Sequence, residues 1–162
     1  MKKISTHTLK IILFLSFLYP HCQVPCGIYD DALRIVQMKE DLLTIRKAMG
    51  EINSLTEKQV NGQDMNQMFR WVNTKENHAQ RIQVTVSEYF LTQRIKFKGY
   101  GQDGRNKYIQ QTTKLHQLLV AAMKCRQNLD QIHCDKALEL IEQFSNLYFD
   151  EHGLKHLKEL EK

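Results

Sequence analysis

Proline is almost missing from this chain. Two prolines occur in 162 residues, and none follows Pro25. A long stretch without proline carries no obligatory helix breaker. Glycine is also sparse, with seven residues, three of them gathered at Gly99, Gly101 and Gly104. Long apolar runs are missing too. The longest candidate, Ile11 to Leu18, is interrupted by Ser16. It falls short of the ~20 apolar residues that a membrane-spanning helix needs. Charge of one sign is not in real excess. The formal net charge is +5, but Lys2, Lys3 and Lys10 sit in the N-terminal segment with no acid beside them. Without that segment the chain has 20 basic and 18 acidic residues. A surplus of two implies no nucleic-acid partner. There is no internal repeat and no low-complexity segment.

Residues 1–20 read as a cleaved leader. Lys2 and Lys3 form a positive start, and Ile11 to Leu18 form the apolar stretch of an export signal. The expectation is an exported protein, periplasmic behind two membranes or secreted behind one, with no stable membrane anchor after processing. A cut after Pro20 would place Leu18 and Pro20 where signal peptidase prefers small residues. The expectation is a different leader-processing protease, or a cut elsewhere. Lipidation at Cys22 is disfavoured because Pro20 and His21 precede it. The remaining 142 residues suit one domain with a core of useful size.

Apolar residues after position 30 recur at steps of three and four, the signature of amphipathic helices. The first helix starts at Asp30 or Asp31, either of which can cap it. Ile35, Met38, Leu42, Ile45 and Met49 share one face, and Gly50 is the expected stop. The second runs from about Asp64 to Thr92, with Met65, Met68, Val72, Ala79, Ile82, Val86 and Tyr89 inward. Residues 93–106 form a basic loop punctuated by glycine. The third carries Tyr108, Thr112, Leu115, Leu119 and Ala122; the fourth carries Ala137, Ile141, Phe144 and Tyr148 and ends near Gly153. The fold expected is all-α, an antiparallel up-down four-helix bundle over 30–150, behind an irregular metal-binding hook at 21–29 and ahead of a loose charged tail at 151–162. The methionine and leucine stripes are core.

Cysteine is limited to four residues in two pairs. Cys125 and Cys134 bracket a turn, and a bridge between them depends on a separation that sequence does not give. Cys22 and Cys26 lie in the string His21-Cys22-Gln23-Val24-Pro25-Cys26-Gly27-Ile28-Tyr29. By spacing alone, such a pair suits a small disulfide loop or a zinc or copper(I) site. Placed after the leader, it offers more. A cut after Pro20 gives His21 a free α-amine beside its imidazole, the Cys22 amide nitrogen and two thiols. Two nitrogens and two sulfurs in a plane suit Ni(II). His133-Cys134 repeats the dipeptide but lacks the amine and the second thiol.

The string resembles the N-terminal nickel hook of nickel superoxide dismutase. Ser87-Glu88-Tyr89-Phe90 and Leu115-His116-Gln117-Leu118 are similar to two further segments of that family. The resemblance implies a superoxide dismutase that cycles Ni(II) and Ni(III), with one nickel ion per subunit. It implies His21, Cys22 and Cys26 as metal ligands. Tyr29 and Tyr89 would line the approach to the metal, although Tyr89 also fits a core aromatic with a satisfied hydroxyl. It implies a homohexamer. Gln23 and Leu91 stand where better-known members have an acid and a lysine. Val36 and His78 stand where those members have a glutamate and an arginine that position the axial imidazole. Arg94, Lys96 and Lys98 are candidates to steer the superoxide anion, or are a solvated loop. The rival expectation is an exported nickel or copper carrier that binds metal without turnover.

Overall fold

The computed structural model of the protein describes residues 30–57 and 59–162. The leader and the hook lie outside the described residues, and with them His21, Cys22, Cys26 and Tyr29. Among the described residues every regular element is helical.

Helix α1 spans Asp31–Thr56. The Asp30 carboxylate accepts from the amides of Ala32 (2.9 Å) and Leu33 (3.3 Å), which satisfies two of the orphan donors at a helix start. Its inward face is Ala32, Ile35, Met38, Leu42, Ile45, Ala48, Met49 and Ile52. Gly50 does not stop it. Burial of Ile52 on the next turn offsets the ~1 kcal/mol that glycine costs inside a helix. A methyl group at Gly50 would meet the Gln131 side chain at 3.3 Å, so the position is also one of close approach.

Helix α2, Gly62–Val84, begins two residues before the expected Asp64. Asn61 and Asp64 form a reciprocal capping box there. Its first half departs from the expected stripe. Met65 and Val72 are exposed, and Lys75 is buried instead, at 3 % exposure. The Lys75 ammonium donates to the Cys125 carbonyl (3.0 Å), to the Arg126 carbonyl and to Glu76. It thereby serves the unpaired carbonyls at the end of a neighbouring helix, a role invisible to apolar periodicity.

Past Val84 the chain continues as a π-helix over Thr85–Arg94. The step lengthens to five residues: the Ile95 amide reaches the Phe90 carbonyl at 2.9 Å, and Thr92 Oγ1 the Ser87 carbonyl at 2.7 Å. The π-turn buries Val86, Tyr89 and Phe90. Such turns are rare and recur at functional sites.

Gly101 and Gly104, with φ of 75° and 76°, make the loop that leads into α3, Arg105–Gln127. Helix α4, Ile132–Tyr148, follows a short turn in which Asp130 accepts from the Ile132 amide. The packing is a ring: α1 on α2, α2 on α3, α3 on α4, and α4 back on α1. That is the closed order of an up-down bundle. Phe90 and Phe144, both fully buried, meet edge to face at 5.1 Å in its core.

The last segment is ordered rather than loose. Helix α5, Glu151–Leu160, packs on α1 through buried Leu157. Gly153 lies in its first turn and ends nothing. A methyl there would fall 2.7 Å from the Phe149 ring, so glycine lets the ring close over the helix start. Lys39 of α1 ties this end down through Glu142 and through Glu161 at 2.5 Å.

Candidate metal centre and its supporting cluster

The described chain opens where the hook ends. Asp31, in the first turn of α1, lies two residues past Tyr29 and gathers three partners from distant parts of the sequence. The Tyr89 hydroxyl donates to Oδ1. The Tyr148 hydroxyl donates to Oδ2 at 2.6 Å. Arg94 Nε sits 2.8 Å from Oδ1, and an Arg94 Nη donates to the Tyr89 oxygen at 2.7 Å. The Arg94 guanidinium also lies 4.7 Å from the centre of the Tyr89 ring, within cation–π range. The π-turn is what brings Arg94 and Tyr89, five residues apart, to the same side. The Tyr148 ring is held by a stack on Phe144 (5.2 Å) and by the edge of Phe149 (5.0 Å).

Both phenols are held neutral. Burial raises the Tyr89 pKa and the bond to Asp31 adds to it, against the opposing pull of Arg94. Burial and Asp31 raise Tyr148 further. A carboxylate that accepts from two phenols and faces a guanidinium is a stiff support. Tyr89 is 7 % exposed, with its proton engaged on Asp31.

A second link ties Asp30, the cap of α1, to the C-terminal helix. His156 Nε2 lies 2.5 Å from Asp30 Oδ2. Burial pushes Asp30 up, but the bonds from His156 and from the Leu33 and Ala32 amides outweigh it and hold the carboxyl below its usual range.

The other sequence candidates fall elsewhere. Arg94 is no solvated loop residue, since its side chain is 17 % exposed and paired with Asp31. Lys96 is exposed and bonds only locally, to the Gln93 carbonyl at 2.8 Å. His78 is half-buried against Asp41 (2.6 Å) and Arg81 (2.6 Å) on the α1–α2 face, whereas Val36 packs on the core. Asp41, not Val36, is thus the partner that His78 takes. Leu91 packs against the core, a fitting place for the residue that stands where a lysine was expected. In the Leu115–Leu118 segment the two leucines are fully buried and His116 is exposed.

Sequence reasoning missed Asp31, Tyr148 and His156 as parts of this region. Asp31 carried one faint signal: Asp30 already caps α1, so a second acid beside it had no capping task. Tyr148 was legible only as core. His156 is 126 residues from Asp30, and no local pattern joins them.

The donor chemistry for a metal points back to the hook. Among the described residues no three His, Cys, Asp or Glu side chains converge to hold an ion. The string His21–Tyr29 holds an imidazole and two thiols, side chains of the nitrogen–sulfur kind that suits nickel. Comparison with known families identifies the metal. The family model of nickel-containing superoxide dismutase matches residues 18–152. The chain belongs to the nickel-containing superoxide dismutase family. No curated protein sequence matches it, and no solved structure does. As a nickel-containing superoxide dismutase it is an oxidoreductase, with nickel as cofactor and superoxide as substrate. The match spans the hook and all four bundle helices and ends at His152, in the first turn of α5.

Proposed function

We propose that nickel is held at the N terminus exposed by a cut after Pro20: by His21 through its amine and imidazole, by Cys22 through its amide nitrogen and thiolate, and by Cys26 through its thiolate. The observation that carries this reading is the string His21-Cys22-x-x-Pro25-Cys26-Gly27-x-Tyr29, which lies inside the family match. Nickel held by such a donor set would supply one-electron redox chemistry toward superoxide. The remaining tasks belong to the chain. The thiols and the amide must lose protons to bind, so loading strengthens as pH rises. Before the cut, residue 21 has a peptide nitrogen in place of an amine, and processing switches the site on.

Tyr29 and Tyr89 line the approach. Burial and Asp31 hold the Tyr89 proton in place, which supports Tyr89 as a fixed wall and not as the proton donor. The two protons that peroxide needs then come from water ordered by the tyrosines or by way of a hook sulfur. Asp31, Arg94 and Tyr148 are positioning residues that act through Tyr89. Arg94 is neutralised by Asp31, so steering of the anion falls to Lys96 and Lys98. The leader directs export, to a periplasm or to the outside, and the working form is a homohexamer.

Native mass spectrometry of protein from its own host tests the reading. A chain beginning at His21 with one nickel, active in superoxide removal, is the expected result. A retained leader, a cut elsewhere, bound zinc or a Cys22–Cys26 disulfide would overturn it. Tyr89→Phe should keep its nickel and the Asp31–Arg94 pair and lose only part of the rate.

A further inference from the structure

Two cysteines take no part in the nickel site. Cys125 lies in the last turn of α3 and Cys134 in the first turn of α4, and both are fully buried. Their sulfurs are 3.7 Å apart, both as free thiols. Cys134 Sγ also lies 3.7 Å from the Met49 sulfur. Each backbone is held from outside the pair. Lys75 donates to the Cys125 carbonyl at 3.0 Å, and the Cys134 amide donates to the Gln131 carbonyl at 2.9 Å. Gln131 is fixed in turn by Arg46 of α1, at 3.3 Å. The two sulfurs therefore face each other across a short turn whose ends are pinned. Closing a bond between them brings the sulfurs from 3.7 Å to the ~2.0 Å of a disulfide.

The two thiols are not equivalent. The bond from Cys125 lowers the Cys134 pKa, and Arg46 and Lys75 assist, against burial and Asp135. The same bond, with burial, raises Cys125. Cys134 is thus the better nucleophile, and it also sits at the positive end of α4.

We propose that Cys125 and Cys134 form a redox-active dithiol which hydrogen peroxide, the product of this family's own reaction, closes to a disulfide that staples α3 to α4. The Cys134 thiolate attacks one peroxide oxygen, the O–O bond breaks, and hydroxide leaves; Cys134 becomes a sulfenic acid. Cys125 sulfur then attacks the Cys134 sulfur, the S–O bond breaks, and the Cys125 proton leaves with the departing oxygen as water. Two thiols and one peroxide give one disulfide and two waters. Residues 126–128 and 130 of the turn are exposed, so local opening of this turn gives a small neutral oxidant its way in.

The chain has four cysteines, so a Cys22→Ser, Cys26→Ser double variant keeps only this pair. The full chain so altered is reduced, freed of reductant and given one equivalent of hydrogen peroxide. The expected result is a fall from two titratable thiols to none, with each chain lighter by two hydrogen atoms and no covalent link between chains. Trypsin should then release Cys125-Arg126 joined to Gln127–Lys136. Two thiols surviving, a Cys134 sulfinic acid without a bridge, or a disulfide between chains would overturn the proposal. With Cys125→Ser added, oxidation should halt at a Cys134 sulfenic acid that dimedone traps. Peroxide is added directly and the hook thiols are removed, so the outcome is independent of how nickel is held.

Discussion

The two ends of the bundle solve different problems. At the hook end, Asp31, Tyr89, Arg94 and Tyr148 build a support from charge and hydroxyls, drawn from α1, the π-turn and α4. Toward the other end, Cys125, Cys134 and Met49 bring sulfur together over a short turn, with Lys75 closing the carbonyls of α3. The first cluster depends on contacts 58 and 117 residues apart in sequence; the central thiol contact spans nine. The difference teaches where each end can fail. A support with one shared acceptor collapses when that acceptor is lost. A local sulfur pair changes state without moving the rest of the bundle.

Four changes would break or sharpen this contrast. The largest effect belongs to the hook itself: Cys26→Ser should abolish dismutase activity and nickel retention while far-ultraviolet circular dichroism stays helical. If the helical signal fell with the activity, the hook would be part of the folding core and not an appendage to it. Next, Asp31→Ala strands two largely buried phenols and a guanidinium, and should cost about 2–4 kcal/mol in urea unfolding. A cost below that of an ordinary surface substitution would show that the cluster does not support the hook end. At the other end, Lys75→Met removes the donor to two helix-terminal carbonyls, one buried and one part-buried, and should cost about 1–3 kcal/mol. Activity should stay near that of the parent, which separates the two ends functionally.

The smallest effect concerns pH. The folded Asp30 carboxyl titrates below its ordinary value of 3.8, so it adds stability that is present above that value and is lost as pH falls through the folded one. His156→Ala removes one of the bonds that hold it down. The acid limb of the stability curve should flatten below pH ~4, by less than about 1 kcal/mol given the exposure of the pair. An unchanged limb would mean that the backbone amides alone set Asp30.

Much of the fold was legible because helix formation follows local rules. The steps of three and four located α1, α3 and α4 and nearly all of α2. The failures were as physical as the successes. Gly50 was read as a stop, but the apolar stripe continues to Ile52 and burial outweighs a single glycine. Met65 and Val72 kept the right spacing yet face outward, because buried Lys75 takes the inward position over the end of α3. The charged tail reads as loose by composition, yet Leu157, His156 and Glu161 anchor it to α1. The imidazole and thiols of residues 21–26 were legible as metal-suited chemistry, since they follow one another along a few residues; they lie outside the described residues. Tyr89 was found through resemblance, and Asp31, its partner, was not found at all.

By itself, then, the sequence determined the helices of the described chain and set an imidazole and two thiols close together at residues 21–26, because helix periodicity and residue spacing are properties of neighbouring residues. Only the tertiary structure decided that one carboxylate would hold two tyrosines and an arginine, that a lysine would be buried, and that two thiols would stand 3.7 Å apart. Those outcomes depend on how helices are turned and stacked, and that is settled by the packing of the whole core rather than by any segment alone.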